Sequence, residues 1–206
     1  MPFAAQHIRD ARNALRKRDP VMREIIRQIG PFTAKTHRDR FVALARAIVY
    51  QQISGKAAAS IWKQLQQLVE PEGVNAESID RKTLDQLRTA GISRQKGTYL
   101  KDLAAKVLAG DVVLNQLGRK SDEDVIAELT RVKGIGRWTA QIFLMFTLTR
   151  KDILPVDDLG IKNAMVKAYG LKQIPDSAKM ESLAEPWRPY ATFACWYLWQ
   201  FIDAEE

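Results

Sequence analysis

Two adjacent carboxylates, Asp157 and Asp158, follow Pro155 and precede the helix-like run LGIKNAMVKAYG. The start of a helix is the positive end of its dipole and favours an ionised carboxylate. Such a group can stabilise positive charge that develops in a reaction and can orient an attacking water. The same place is also an ordinary one for an N-capping Asp, whose side chain accepts a main-chain N–H and does no chemistry. Residue type alone leaves both roles open.

A second constellation lies upstream: Lys133-Gly134-Ile135-Gly136-Arg137-Trp138-Thr139-Ala140 runs directly into the apolar segment QIFLMFTL. Its two glycines predict a tight hairpin with positive backbone dihedrals and no Cβ in the way of a close-approaching ligand. Main-chain N–H groups, the dipole of the following helix and the Thr139 hydroxyl then form a sequence-independent seat for a DNA phosphate, with Lys133 and Arg137 beside it. A plain interhelical turn would use the same glycines. Trp138 adds an aromatic face on which a planar or cationic group can stack, an effect of roughly 0.5 to 2 kcal/mol for a cation.

The elements that position these residues are helical. Ala57, Ile61, Leu65 and Leu68 recur at spacings of three and four, and Pro71 and Gly73 close that helix. Residues 78–90 read as a short amphipathic unit, and Gly91-Ile92-Ser93 turns the chain into a helix carrying Tyr99, Leu100, Leu103 and Val107. Ser121, Glu123 and Asp124 mark a helix start ahead of Val125, Ile126, Leu129 and Val132. Trp187, Tyr190, Phe193, Trp196, Tyr197, Trp199 and Phe201 fall in one stretch read as helix, most of them as core. No segment alternates as a strand does, so the expected class is all-α.

The chain of 206 residues is long enough for one domain or two small lobes, and 46% hydrophobic against 27% charged residues describes a folded protein. Its 32 Lys and Arg against 24 Asp and Glu leave a charge of +8, which suits a polyanionic partner. A single cysteine, Cys195, excludes an internal disulfide, a thiolate zinc site and a four-cysteine iron–sulfur cluster, and fits a reducing compartment. His7 and His37 are not paired with carboxylates at metal-ligand spacing. No stretch approaches the roughly 20 apolar residues that cross a bilayer, so no membrane contact is expected.

The segment VKGIGRWTAQIFLMF, followed about twenty residues later by ILPVDDLGIKNA, resembles the signature of helix-hairpin-helix (HhH-GPD) DNA glycosylases. YQQISGKAAASIW upstream and WRPYATFACWYLW downstream are similar to the 3-methyladenine DNA glycosylase II branch. The resemblance implies a two-lobed helical bundle with a DNA-facing cleft between the lobes and no N-terminal β domain. Residues 1–35 and 151–206 would form one lobe and 36–150 the other, with the motif at about 123–148.

The resemblance also implies a set of roles. Aligned through Asp-x-x-Ile, with Ile161 in the last position, the catalytic residue is Asp158 and Asp157 is the cap or support. Trp196 and Tyr197 join Trp138 in the base pocket. Ile53 is the wedge that fills the gap in the duplex, while Gln51 or Gln52 bonds in the minor groove and Ser54 and Lys56 are candidates for phosphate contacts. Gly134, Gly136 and Thr139 hold the backbone. A structural Na⁺ or K⁺ would sit on the carbonyls of Thr130, Val132 and Ile135, with no other cofactor and no iron–sulfur cluster.

The lyase branch of the superfamily carries a lysine where this chain has Trp138, which implies a monofunctional enzyme with water as nucleophile. Ile142 stands where the best-known alkyl-base branch has an aromatic, with Phe143 beside it but about 100° away on a helix. The expected protein is therefore a monomeric base-excision glycosylase for alkylated purines in double-stranded DNA. It would be cytoplasmic and nucleoid-associated in a bacterium or archaeon, and nuclear in a eukaryote. The competing readings are a non-catalytic hairpin module that binds DNA and a glycosylase for other damaged bases.

Overall fold

The computed structural model describes residues 3–204, and among them the regular elements are all helical. They fall into two compact units, one reaching up to Thr36 and resuming at Leu144, the other formed by His37–Phe143.

The first unit contains α1 (Ala5–Arg18), α2 (Pro20–Ile29), α10 (Leu159–Tyr169), α11 (Ser177–Ala184) and α12 (Ala191–Asp203). Its two stretches of chain are joined by one buried carboxylate. Asp19 caps α2 by accepting the Val21 N–H at 2.8 Å and the Met22 N–H at 3.1 Å, and it also accepts Trp187 Nε1–H at 2.8 Å and the Tyr169 hydroxyl. Four donors on one side chain satisfy a group whose burial would otherwise be costly. Leu15, Met22, Trp187, Phe193 and Tyr197 pack the core around it. The aromatic stretch is broken rather than continuous: a 3-10 turn over Glu185–Trp187 precedes Pro189, and α12 begins only at Ala191 because a proline offers no N–H to carry the helix through.

The second unit contains α3 (Arg40–Tyr50), α4 (Gly55–Leu68), α5 (Ala76–Asp80), α6 (Leu84–Thr89), α7 (Arg94–Leu108), a 3-10 turn over Leu114–Arg119, α8 (Asp122–Leu129) and most of α9 (Arg137–Phe146). Side-chain caps start nearly every helix: Asp39, Ser54, Ser93 and Ser121 each accept the N–H three residues on. The unit expected over 78–90 is two short helices, each opened by a capping box, at Asn75 with Ser78 and at Thr83 with Gln86.

On α4 the buried stripe is Ala58, Trp62 and Leu65, continued by Val69, whereas Ala57 is exposed and Ile61 and Leu68 are half-buried. Of the face expected from Ala57, Ile61, Leu65 and Leu68, Leu65 is buried as expected, while the other three positions are replaced by their C-terminal neighbours Ala58, Trp62 and Val69. Trp62, the largest apolar side chain on the helix, sets the buried direction.

Candidate functional site

The hairpin begins where α8 stops. Thr130 caps that helix and its Oγ1 donates to the Ile126 carbonyl at 2.8 Å. Ile135 N–H then closes a turn on the Val132 carbonyl at 3.1 Å. Gly134 adopts φ +81, and a Cβ there would lie 2.1 Å from Cδ2 of Tyr99 on α7. Only glycine fits, for both torsional and steric reasons.

Gly136 differs from the expectation for it. Its φ is not in the left-handed region, and a Cβ would meet nothing within 4 Å. One glycine therefore makes the turn while the other leaves open space at the head of α9, where Gly136 accepts the Ala140 N–H at 3.1 Å.

The hairpin is anchored from α7. The Lys133 main-chain N–H donates to Asp102 Oδ2 at 2.8 Å, and Lys106 Nζ lies 2.7 Å from both oxygens of that carboxylate. Burial works to raise the Asp102 carboxyl, but the bonds from Lys106 and Lys133 and their charges outweigh it and hold it below the ordinary value. At the hairpin's far end Arg137 pairs with Glu123 at 2.5 and 2.9 Å. Thr139 is buried, and the head of α9 offers a phosphate its main-chain N–H groups.

The loop between α3 and α4 is bound to the hairpin in the same unit. Gln51 Nε2 donates to the Gly134 carbonyl at 2.8 Å, and Lys96 Nζ donates to the Val49 carbonyl at 2.7 Å. Partial burial lowers the Lys96 ammonium from its usual range. Gln51 thereby braces the hairpin, while Gln52, at φ +55, is exposed. A non-glycine residue there is strained by about 1–3 kcal/mol and persists only where its surroundings hold it. Next to it Ile53 is 38% exposed, against the core placement its composition suggests. Ser54 Oγ accepts the Ala57 N–H at 3.4 Å as the cap of α4, and Lys56 is exposed.

In the first unit Asp158 is 7% exposed and caps α10, its Oδ1 accepting the Ile161 N–H at 2.7 Å. The cap expected of Asp157 is therefore supplied by Asp158 itself, and Asp157 is exposed. Position decides this: Asp158 is the residue three before Ile161, where a side-chain oxygen reaches the third helical N–H. Capping and chemistry, two alternatives in the sequence, fall on one side chain. The same Oδ1 accepts Trp199 Nε1–H at 3.1 Å.

Nearby, burial pushes the Cys195 thiol up, with the charge of Asp158 adding to the effect, so it stays protonated and is no nucleophile. Trp196 is 8% exposed and its ring lies 4.6 Å from that of Phe32, which is half-buried. Tyr197 is 1% exposed and its hydroxyl donates to the Gly30 carbonyl at 3.1 Å, so its side chain belongs to the core of the unit. Trp138, in the other unit, is 46% exposed. On α9 Ile142 is half-buried and Phe143 buried.

Sequence reasoning missed Trp199, Phe32 and Asp102. Trp199 looked like one more core aromatic in a run of them. Its only signal was an indole N–H that must find an acceptor when buried, and nothing in the spacing joins residues 158 and 199.

Among known proteins, "DNA-3-methyladenine glycosylase 1" of Schizosaccharomyces pombe is 30% identical over 187 residues, covering 88% of this chain and 82% of its own. "Alkylbase DNA glycosidase-like protein mag2" of the same organism is 30% identical over 181 residues, with 85% of each chain covered. The solved structure of the S. pombe 3-methyladenine DNA glycosylase Mag1 in complex with abasic DNA superposes with a TM-score of 0.83 at 30% identity, over 92% of this chain and 95% of that one. A DNA-3-methyladenine glycosidase from Bacillus halodurans does so with a TM-score of 0.82 at 33% identity, over 94% and 90%. The family described as HhH-GPD superfamily base excision DNA repair protein matches residues 45–189. A hairpin built on Gly134, a braced loop presenting Ile53, and a buried Asp158 at a helix start are thus set in a recognised frame: the chain belongs to the HhH-GPD superfamily of base excision DNA repair proteins.

Proposed function

We propose that this protein is a DNA glycosylase that hydrolyses the N-glycosidic bond of alkylated purines in double-stranded DNA, and that it is monofunctional. The observation that carries the reading is Asp158, a buried carboxylate at the head of α10 whose Oδ1 accepts the N–H of Ile161 and that of Trp199. The names of the relatives support the substrate class, and the abasic DNA bound by Mag1 supports DNA as the partner.

In this reading the hairpin and the head of α9 take a backbone phosphate, Ile53 enters the duplex, and the displaced purine stacks on aromatic faces such as Trp138. The bond from C1′ to the base nitrogen breaks with its electron pair leaving on the base. A purine already cationic from alkylation departs neutral and needs no strong general acid. Asp158 stabilises the sugar cation while water adds to C1′, and the water's proton passes to the carboxylate or to solvent. Trp138 at the lyase position leaves no amine there to attack the sugar, so no Schiff base forms.

A monovalent cation at the hairpin belongs to the same proposal. What supports it is the Val132 carbonyl, which spends one lone pair on Ile135 N–H and has a second to offer, with Thr130 and Ile135 as the other two residues that would hold the ion through their carbonyls. Such an ion would add positive charge toward a phosphate.

The test is release of 3-methyladenine and 7-methylguanine from methylated DNA by wild type, Asp157→Asn and Asp158→Asn. Release by wild type and Asp157→Asn, and its loss in Asp158→Asn, is the expected pattern. Undiminished release by Asp158→Asn refutes the catalytic role. No release by a wild type that still binds DNA favours a non-catalytic module. A covalent adduct trapped by borohydride refutes the monofunctional reading.

A further inference from the structure

We propose that Trp199 is a positioning residue for the reacting carboxylate, its indole N–H holding Oδ1 of Asp158 from a second helix; this rests on the reading of Asp158 given above. The Ile161 N–H holds Oδ1 at 2.7 Å, as any helix cap would. The second donor comes from a different element, α12, and lies 3.1 Å from the same oxygen. Donors on Oδ1 from two separate helices tie the position of that oxygen to the packing of α12 on α10. A carboxylate that must meet a developing cation gains from that fixed position, because the protein then has little to rearrange as charge appears.

The surroundings are fitted to this pair. Gly160 lies between the two side chains, and a Cβ there would be 3.1 Å from Asp158 Oδ1 and 3.3 Å from both Cδ1 and Nε1 of Trp199. The absence of a side chain at residue 160 is what lets the indole approach the carboxylate. Phe146 packs against the Trp199 ring at 6.1 Å between centroids, which limits its rocking. Trp199 is half-buried while its α12 neighbours from Ala191 to Leu198 are buried, so it is the residue at which the packed face of α12 gives way to the carboxylate.

A Trp that only packs would be replaced by Phe with losses in stability alone. The decisive variant changes nothing but the donor: the Trp199 indole is replaced by benzothiophene, sulfur for N–H, with Trp199→Phe beside it. Three quantities are measured for each: the single-turnover rate of base release at saturating enzyme, the Kd for duplex DNA carrying a tetrahydrofuran abasic analogue, and the Tm. The expected result is a release rate about 10- to 100-fold lower, the scale of a modest misplacement of a reacting group, with Kd unchanged and the benzothiophene variant losing no more stability than Trp199→Phe. A benzothiophene variant that releases base within twofold of wild type overturns the proposal and leaves the glycosylase reading intact.

The pair is also read without activity, through the indole Nε1–H NMR resonance assigned by its loss in Trp199→Phe. It should shift in Asp158→Asn. No shift overturns the pairing even in an active enzyme. An Asp158→Asn protein as active as wild type overturns the reading of Asp158 itself, and this inference with it.

Discussion

Replacing Gly134 by Ala tests the hairpin most directly, because two separable effects meet there. The first is torsional: at φ +81 an L-residue is disfavoured by about 1–2 kcal/mol. The second is steric, since the new Cβ would stand 2.1 Å from Tyr99 Cδ2 and 2.5 Å from two further ring carbons, all rigid. Forcing extra volume into packed surroundings costs about 1–3 kcal/mol. The two together predict a loss of about 2–5 kcal/mol in the His37–Phe143 unit, whereas Gly136→Ala, with open space and an ordinary φ, should stay within about 0.5 kcal/mol of wild type.

A double-mutant cycle separates the contributions. In a Tyr99→Ala background the clash is gone and only the torsional part of Gly134→Ala remains, so the coupling between the two sites should be about 1–3 kcal/mol. Urea unfolding followed by circular dichroism and by tryptophan fluorescence gives the stabilities, and salt-dependent binding to a duplex reports the hairpin's grip on DNA. Equal losses in Gly134→Ala and Gly136→Ala would refute the argument. So would a cycle with no coupling, since it would mean that the Tyr99 ring does not enforce the glycine.

Ile53→Ala should change stability by no more than about 0.5 kcal/mol because the side chain is exposed, yet slow excision from duplex DNA; a loss of about 2 kcal/mol or more on unfolding would return Ile53 to the core. Gln51→Ala removes the bond to the Gly134 carbonyl and should lower stability by about 0.5–1.5 kcal/mol while weakening DNA binding; unchanged hydrogen-exchange protection in the hairpin would count against the brace. Asp102 has its carboxyl held below the ordinary value in the folded protein, so its contribution is present above the unfolded pKa and is lost as pH falls through the folded one. Asp102→Asn should therefore give a protein whose stability declines less steeply in acid, and a wild-type slope in that variant would remove Asp102 from the anchor.

The helical class, most helix starts and the turn at Gly134 could be read from the chain, because they depend on near neighbours. A Ser or Asp three residues before an N–H, a stripe at three and four, and a glycine in a hairpin are local facts with local physics. Less legible was what packing and remote partners set: the buried stripe of α4 runs through Ala58, Trp62 and Val69 as well as Leu65, Thr139 is buried, and Gln51 donates to a carbonyl 83 residues away.

Asp158 marks the boundary between the two kinds of information. Its neighbours in the chain determine that one of the acidic pair starts a helix, and composition determines that the chain is basic and has no cysteine cluster. Tertiary structure alone decides that Asp158 rather than Asp157 is buried, that the cap and the candidate reactive group are the same side chain, and that an indole from α12 shares its oxygen. The reason is physical: periodicity records which face of a helix leaves water, but a buried carboxylate is satisfied by whichever donor the packing of separate helices brings within about 3 Å, and that meeting leaves no mark in the spacing of either segment.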